Sequence, residues 1–96
     1  GLWGADITGS GLRHLRGLSE LQTLDLTNTE IMDEGVAHLV KLDKLRSLNL
    51  SRTRVTDACI PHLARIKSLK TIYLPKTISD QAIRWLKKKS PSRISR

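Results

Sequence analysis

The stretch "LRSLNLSRTRVTDA", residues 45–58, decides the fold because its pattern occurs three times. "LQTLDLTNTEI" starts at Leu21 and "LKTIYLPKTI" at Leu69, so the leading leucines Leu21, Leu45 and Leu69 are evenly spaced. Each unit reads L-x-x-[LI]-x-L-x-x-T, then an aliphatic residue, then Asp33, Asp57 or Asp80. A second apolar set follows: Val36, Leu39 and Leu42; Ile60, Leu63 and Ile66; then Ile83 and Leu86. The third unit is one residue shorter after Thr77. Upstream, Ile7, Leu12, Leu15 and Leu18 fit the back half of a further unit. A fixed period of this length is the signature of an array in which each unit buries its apolar face on its neighbours.

The apolar spacing changes inside each unit. Leu24-x-Leu26 alternates as a short strand does, whereas Val36, Leu39 and Val40 have helical spacing. Asp33, Asp57 and Asp80 stand where a helix begins, so their carboxylates are expected to cap it by accepting orphan backbone N–H groups. Thr56 and Ser79 precede two of them and reinforce the start. Each unit therefore reads strand, turn, short helix and return loop. Thr29, Thr53 and Thr77 share a column at the strand-to-turn junction. A buried backbone group left unpaired there costs about 1–3 kcal/mol. A threonine ladder, each hydroxyl donating to one turn and accepting from the next, is the expected remedy.

These residues resemble the leucine-rich repeat family, with its L-x-x-L-x-L-x-x-N/C hallmark. The match runs through Leu21-Leu24-Leu26, Leu45-Leu48-Leu50 and Leu69-Ile72-Leu74, with threonine where the family usually has Asn or Cys. "TRVTDA" at 53–58 is similar to the T-x-[VI]-T-D-x-G-[LV] subclass of bacterial and cysteine-containing repeats. The resemblance covers roughly residues 5–89 and implies an α/β fold: a right-handed solenoid of about three and a half units. Short parallel strands would line its concave face and short helices its convex face. The implied organisation is a single domain, 1–96, with a partial repeat at 1–20 and repeats at 21–44, 45–68 and 69–89. A C-terminal cap or basic tail spans 87–96.

Composition bounds the chemistry. The chain has 96 residues, no Phe and 3% aromatics, so the core is aliphatic and modest. No apolar run approaches the roughly 18 residues of a membrane span. The lone Cys59 has no internal disulfide partner, which fits a reducing, cytoplasmic compartment. His14, His38 and His62 are all the histidines of the chain and occupy one repeat column, with Trp85 in that column of the last unit. Adjacent helices lie about 8–10 Å apart, whereas a zinc ion needs each nitrogen at about 2.0–2.1 Å. Bulk at a helix flank is the simpler reading, and no metal or cofactor is expected. Cys59 shares the column of Gly11 and Gly35, as a small packed residue. No Ser-His-Asp order, phosphate-cradling glycine loop or zinc-type Cys/His cluster appears, so an enzyme is not expected.

The outward strand positions are the candidate binding surface, because the family resemblance makes the concave side the usual ligand face. The columns are Gln22, Arg46, Lys70; Thr23, Ser47, Thr71; Asp25, Asn49, Tyr73; and Thr27, Ser51, Pro75. Gln22, Asp25, Arg46, Asn49, Lys70 and Tyr73 are the expected contacts with a partner protein. Net charge is +8, yet residues 1–48 carry 5 Lys and Arg against 7 Asp and Glu, and residues 49–96 carry 12 against 2. Arg52, Lys76, Lys87, Lys88, Lys89 and Arg93 are therefore the alternative site, for nucleic acid or another polyanion. The stretch "RWLKKKSPSRISR" also reads as a cap, with lysines closing a helix, Pro91 stopping it and Ile94 covering the core edge. A third alternative is a purely structural segment of a larger protein. Counting back one period from Leu26 puts Leu2 in its column, as if the chain began inside a strand of a longer array. That open edge is expected to self-associate.

Overall fold

Among the described residues, five short strands lie side by side in one parallel sheet, in the order in which the chain makes them: β1 (Leu2–Trp3), β2 (Thr23–Asp25), β3 (Ser47–Asn49), β4 (Thr71–Tyr73) and β5 (Arg93–Ser95). The structure, a computed structural model, describes residues 2–3 and 20–96. Ile7, Gly11, Leu12, His14, Leu15 and Leu18 lie outside the described residues. Parallel neighbours need a crossover, and from β2 to β5 helices supply it. α1 (Asp33–His38) runs on into a 3-10 turn at Leu39–Lys41. A 3-10 turn at Asp57–Cys59 leads into α2 (Ile60–Ala64), and α3 (Asp80–Lys89) is the longest of these helices. α1 packs on α2 and α2 on α3, in the same sequence as the strands.

The register repeats the sequence period. Leu24 faces Leu48 and Leu48 faces Ile72, while Thr23, Ser47 and Thr71 form one row and Asp25, Asn49 and Tyr73 another. Only the middle residue of each of β2, β3 and β4 is buried, as period-two alternation requires. The core behind the sheet is aliphatic throughout. Leu26, Leu39, Leu45, Leu48, Leu63 and Leu69 have no exposed surface, and Ile31, Val55 and Ile78 fill the turns between strand and helix. Pro61 falls in the first turn of α2, where its missing N–H costs nothing. Lys87, Lys88 and Lys89 end α3, complementing the helix dipole.

The helix starts differ from the sequence expectation. Asp33, Asp57 and Asp80 are the first helical residues rather than caps, and the capping positions are Met32, Thr56 and Ser79. Thr56 Oγ1 accepts from Ala58 N and Ser79 Oγ from Ala82 N. The aspartates reach sideways instead. Asp33 accepts Thr56 N–H and its hydroxyl, both at 2.6 Å. Asp57 accepts Ser79 N–H at 2.8 Å and its hydroxyl at 2.7 Å. Asp80 accepts from Arg96 Nη2 at 2.6 Å. The same column that begins each helix thus clamps it to the start of the next, and Arg96 takes the place of the hydroxyl at the last step.

The threonine column is corrected too. Thr29 and Thr53 are buried, and each hydroxyl donates at 2.7 Å to a carbonyl of its own turn, Leu26 O and Leu50 O. Only Thr77, exposed because its turn is a residue shorter, crosses to the preceding unit, donating to Val55 O at 2.8 Å. Further hydroxyls bridge units outside this column: Ser68 donates to Leu45 O, and Ser92 to Leu69 O at 2.8 Å. One period earlier, Lys44 pairs with Glu20 at 3.1 Å. Pro75, expected to point outward, is buried. Leu2 pairs with Leu24, not Leu26, so the first step is shorter than the interior period. The last step is shortened in the same way, since Ile72 faces Ile94. Residues 93–95 are therefore a strand, and Ile94 packs against the core.

The turns after β2 and β3 each hold one residue in the left-handed region. Asn28, at φ 62°, fills it in one unit and Arg52, at φ 60°, in the next. Asn tolerates that conformation, whereas a residue such as Arg carries a penalty of roughly 1–2 kcal/mol.

The sideways clamp at Asp57 makes stability depend on acid. The Ser79 N–H and hydroxyl hold the Asp57 carboxyl below its ordinary 3.8. A carboxyl whose folded pKa is depressed contributes stability above its unfolded pKa and loses it as pH falls through the folded value. Urea midpoints should therefore be flat from about pH 7 to 5 and fall below about pH 4. Asp57→Asn should show a smaller acid-induced drop than the parent. An equal drop in both would remove Asp57 as a source.

Candidate functional site

The outward rows of the sheet are built by alternation: with Leu24, Leu48 and Ile72 buried, the flanking residues face away from the core. Gln22, Arg46 and Lys70 are exposed at the leading ends of the strands. Their backbones continue the sheet there, with Arg46 N–H donating to Gln22 O and Lys70 N–H to Arg46 O, each at 2.8 Å. Arg93 extends the next row beyond Thr71 on β5. Gln22, Arg46 and Lys70 thus share one edge of the face with Arg93, separated by one strand spacing per step.

The row of Asp25, Asn49 and Tyr73 divides by chemistry. Asp25 Oδ1 accepts Thr27 N–H at 2.9 Å, and Asn49 Oδ1 accepts Ser51 N–H at 2.9 Å. Both side chains are half-buried, each closing the turn that follows its strand. The Thr27 hydroxyl and N–H hold the Asp25 carboxyl below its ordinary range. In the next unit the residue two positions on is Pro75, which has no N–H to donate. An acceptor at position 73 has no such duty, and the position carries Tyr73, 41% exposed. Two of the expected contact residues are therefore partly committed to the fold, and the aromatic one is not. The pairing was legible in the sequence: Asp25 and Asn49 each precede an N–H two positions on, and Pro75 breaks the series.

The expected polyanion site is not one patch. Lys87, Lys88 and Lys89 ride on α3, and Lys89 Nζ sits 5.8 Å from the Trp85 ring centre. Arg93 lies on β5, while Arg52 and Lys76 follow β3 and β4 at the opposite ends of the strands. On the helix side, His38 and His62 are half-buried and Trp85 is exposed. Among the described residues no three His, Cys, Asp or Glu side chains come together as a metal-holding group. Cys59 is fully buried; burial, then the Asp33 and Asp57 carboxylates, push its thiol up to about 12. Among the described residues no helix is long and apolar enough to cross a membrane. Comparison with known proteins identifies no relative: no family model matches the chain, and no curated protein matches it.

Proposed function

We propose that this chain is a leucine-rich repeat solenoid whose strand face binds a partner protein without catalysis. The observation that carries the reading is Tyr73. In its row the two preceding positions, Asp25 and Asn49, close turns, and Pro75 releases position 73 from that work. The released position holds an exposed tyrosine at the trailing end of β4, on the strand face whose leading edge carries the exposed cations Lys70 and Arg46. An aromatic with a polar tip on a face that also offers arginine is the composition of a binding hot spot. The even recurrence of strand, turn and helix along the chain, together with the parallel strand order, supports the solenoid.

The test is capture from nuclease-treated lysate of the source, comparing the parent chain with Tyr73→Ala and with Arg46→Glu. A protein held at high salt by the parent should be weakened by Tyr73→Ala by about 2 kcal/mol, roughly thirtyfold in Kd. Retention of the same protein by both variants would reject the strand face. If the parent holds only nucleic acid, and salt strips it, electrostatic binding through the basic half is the better account.

A further inference from the structure

Beyond the strand face, where the chain leaves β3 and β4, lies a depression of about 430 Å³. Arg52, Lys76 and Arg96 line it, together with Ser51, Leu74 and Pro75, and no acidic residue does. Arg96 is largely committed, since its Nη1 donates to Ile78 O and its Nη2 to Asp80, both at 2.6 Å. Arg52 and Lys76 form no ion pair among the described residues. The hydroxyls of Thr53 and Thr77 are spent on carbonyls and shape the wall. The backbone leaves donors as well. In the preceding unit Asn28 N–H bonds Ser51 O at 3.0 Å and Thr29 N–H bonds Leu26 O at 3.1 Å. The corresponding N–H groups of Arg52 and Thr53 have no backbone acceptor among the described residues.

Arg52 itself is the second observation. Its backbone is left-handed like that of Asn28 one unit earlier, a conformation that asparagine accepts readily and Arg52 adopts under strain. A cation is held at this depression by a position whose conformation disfavours it, and strain of that kind concentrates at functional sites.

We propose that this depression binds a phosphate monoester dianion, as carried by a phosphorylated serine or threonine of a protein segment. That protein source rests on the partner-binding reading above. The doubly charged group matches the two unpaired cations, and its three acceptor oxygens suit a guanidinium fork, an ammonium and backbone N–H groups. Leu74 and Pro75 provide an apolar wall for the side chain that carries the phosphate. A nucleic-acid strand would call for a series of stacking platforms. Within residues 20–96, Tyr73 is the one exposed aromatic on the strand side.

The experiment titrates N-acetyl-O-phosphoserine amide into the 15N-labelled chain, with N-acetylserine amide and an oligothymidylate as comparison probes. Saturable amide shifts are expected at Arg52, Thr53 and Lys76 with the phosphorylated probe and not with the unphosphorylated one. Arg52→Asn and Lys76→Gln should each weaken binding by about tenfold or more. Arg52→Asn should also raise Tm by a few degrees, because asparagine suits the turn, so lost affinity cannot be confused with lost folding. Shifts confined to Lys87–Lys89, unchanged affinity in both variants, or oligothymidylate binding without phosphoserine binding would each overturn the proposal. The small probe cannot span the strand face, so Tyr73→Ala should bind it as the parent does. Undiminished partner capture by Tyr73→Ala, with phosphoserine binding intact, would sink the strand-face reading alone; weakened capture by Tyr73→Ala, with no phosphoserine binding by the parent, would sink this one alone.

Discussion

Cys59 will react with iodoacetamide about a thousandfold more slowly in the native chain than in the denatured one at neutral pH. The thiolate is the reactive form, and a shift from 9.0 to about 12 lowers its fraction by about three powers of ten. Burial is the first cause, because a thiolate in an aliphatic core has lost its water, and Cys59 has no exposed surface. Asp33 and Asp57 add negative charge nearby. These are the residues that clamp successive helices, so the geometry that joins the units also keeps the thiol protonated. Labelling followed by mass measurement, with and without guanidinium, checks it. A native rate within tenfold of the denatured rate would mean that the α2 region opens readily, and the packing described for Cys59 would be wrong.

Leu48→Ala should remove about 3 kcal/mol of stability, with roughly 2–5 the span for buried leucines. Leu48 is the middle residue of the middle strand, fully buried, with Leu24 on one side and Ile72 on the other. A cavity there has no free end from which the structure could collapse to fill it. For a domain of 96 residues, total stability is on the order of 5–14 kcal/mol, so this one change takes a fifth or more. With a urea m-value of roughly 1.5 kcal/mol/M, the midpoint should fall by about 2 M. Ile94→Ala, at the half-buried edge strand, should cost about 1 kcal/mol, since less of its surface is removed from water. A Leu48→Ala loss below about 1 kcal/mol would show that the sheet interior is not packed as described. A lowered m-value would show that neighbouring units no longer unfold together.

The sequence reading and the structure part company at particular side chains. The inward columns, from Val36 and Leu39 to Ile60 and Leu63, were legible because apolar spacing maps directly onto burial. Gln22, Arg46 and Lys70 are exposed although they share the parity of the buried Leu24, Leu48 and Ile72, because alternation holds only within the three-residue strands that follow them. The aspartates were misplaced because a carboxylate at a helix start has two sets of N–H donors within reach. One belongs to its own first turn and the other to the next unit. Spacing cannot rank them, since a few ångströms between units decide. The first and last steps of the sheet, Leu2 to Leu24 and Ile72 to Ile94, are shorter than the interior period, which the even spacing of the leucines does not reveal.

By itself the sequence determined the repeat, the aliphatic core, the strand–turn–helix order of each unit and the row in which Tyr73 stands. These are local or periodic properties, and each is written along the chain by side-chain chemistry at fixed spacing. Only the tertiary structure decided that Asp33 and Asp57 clamp the following unit and that residues 93–95 close the sheet. It showed which donors Asp25 and Asn49 reach, and it alone showed that Arg52 and Lys76 share one depression. The clamps, the closing strand and the depression all depend on distances between groups in successive units, far apart along the chain. The turn commitments depend on which donor a side chain reaches first. Both are set when the units pack and the polar groups between them must find partners.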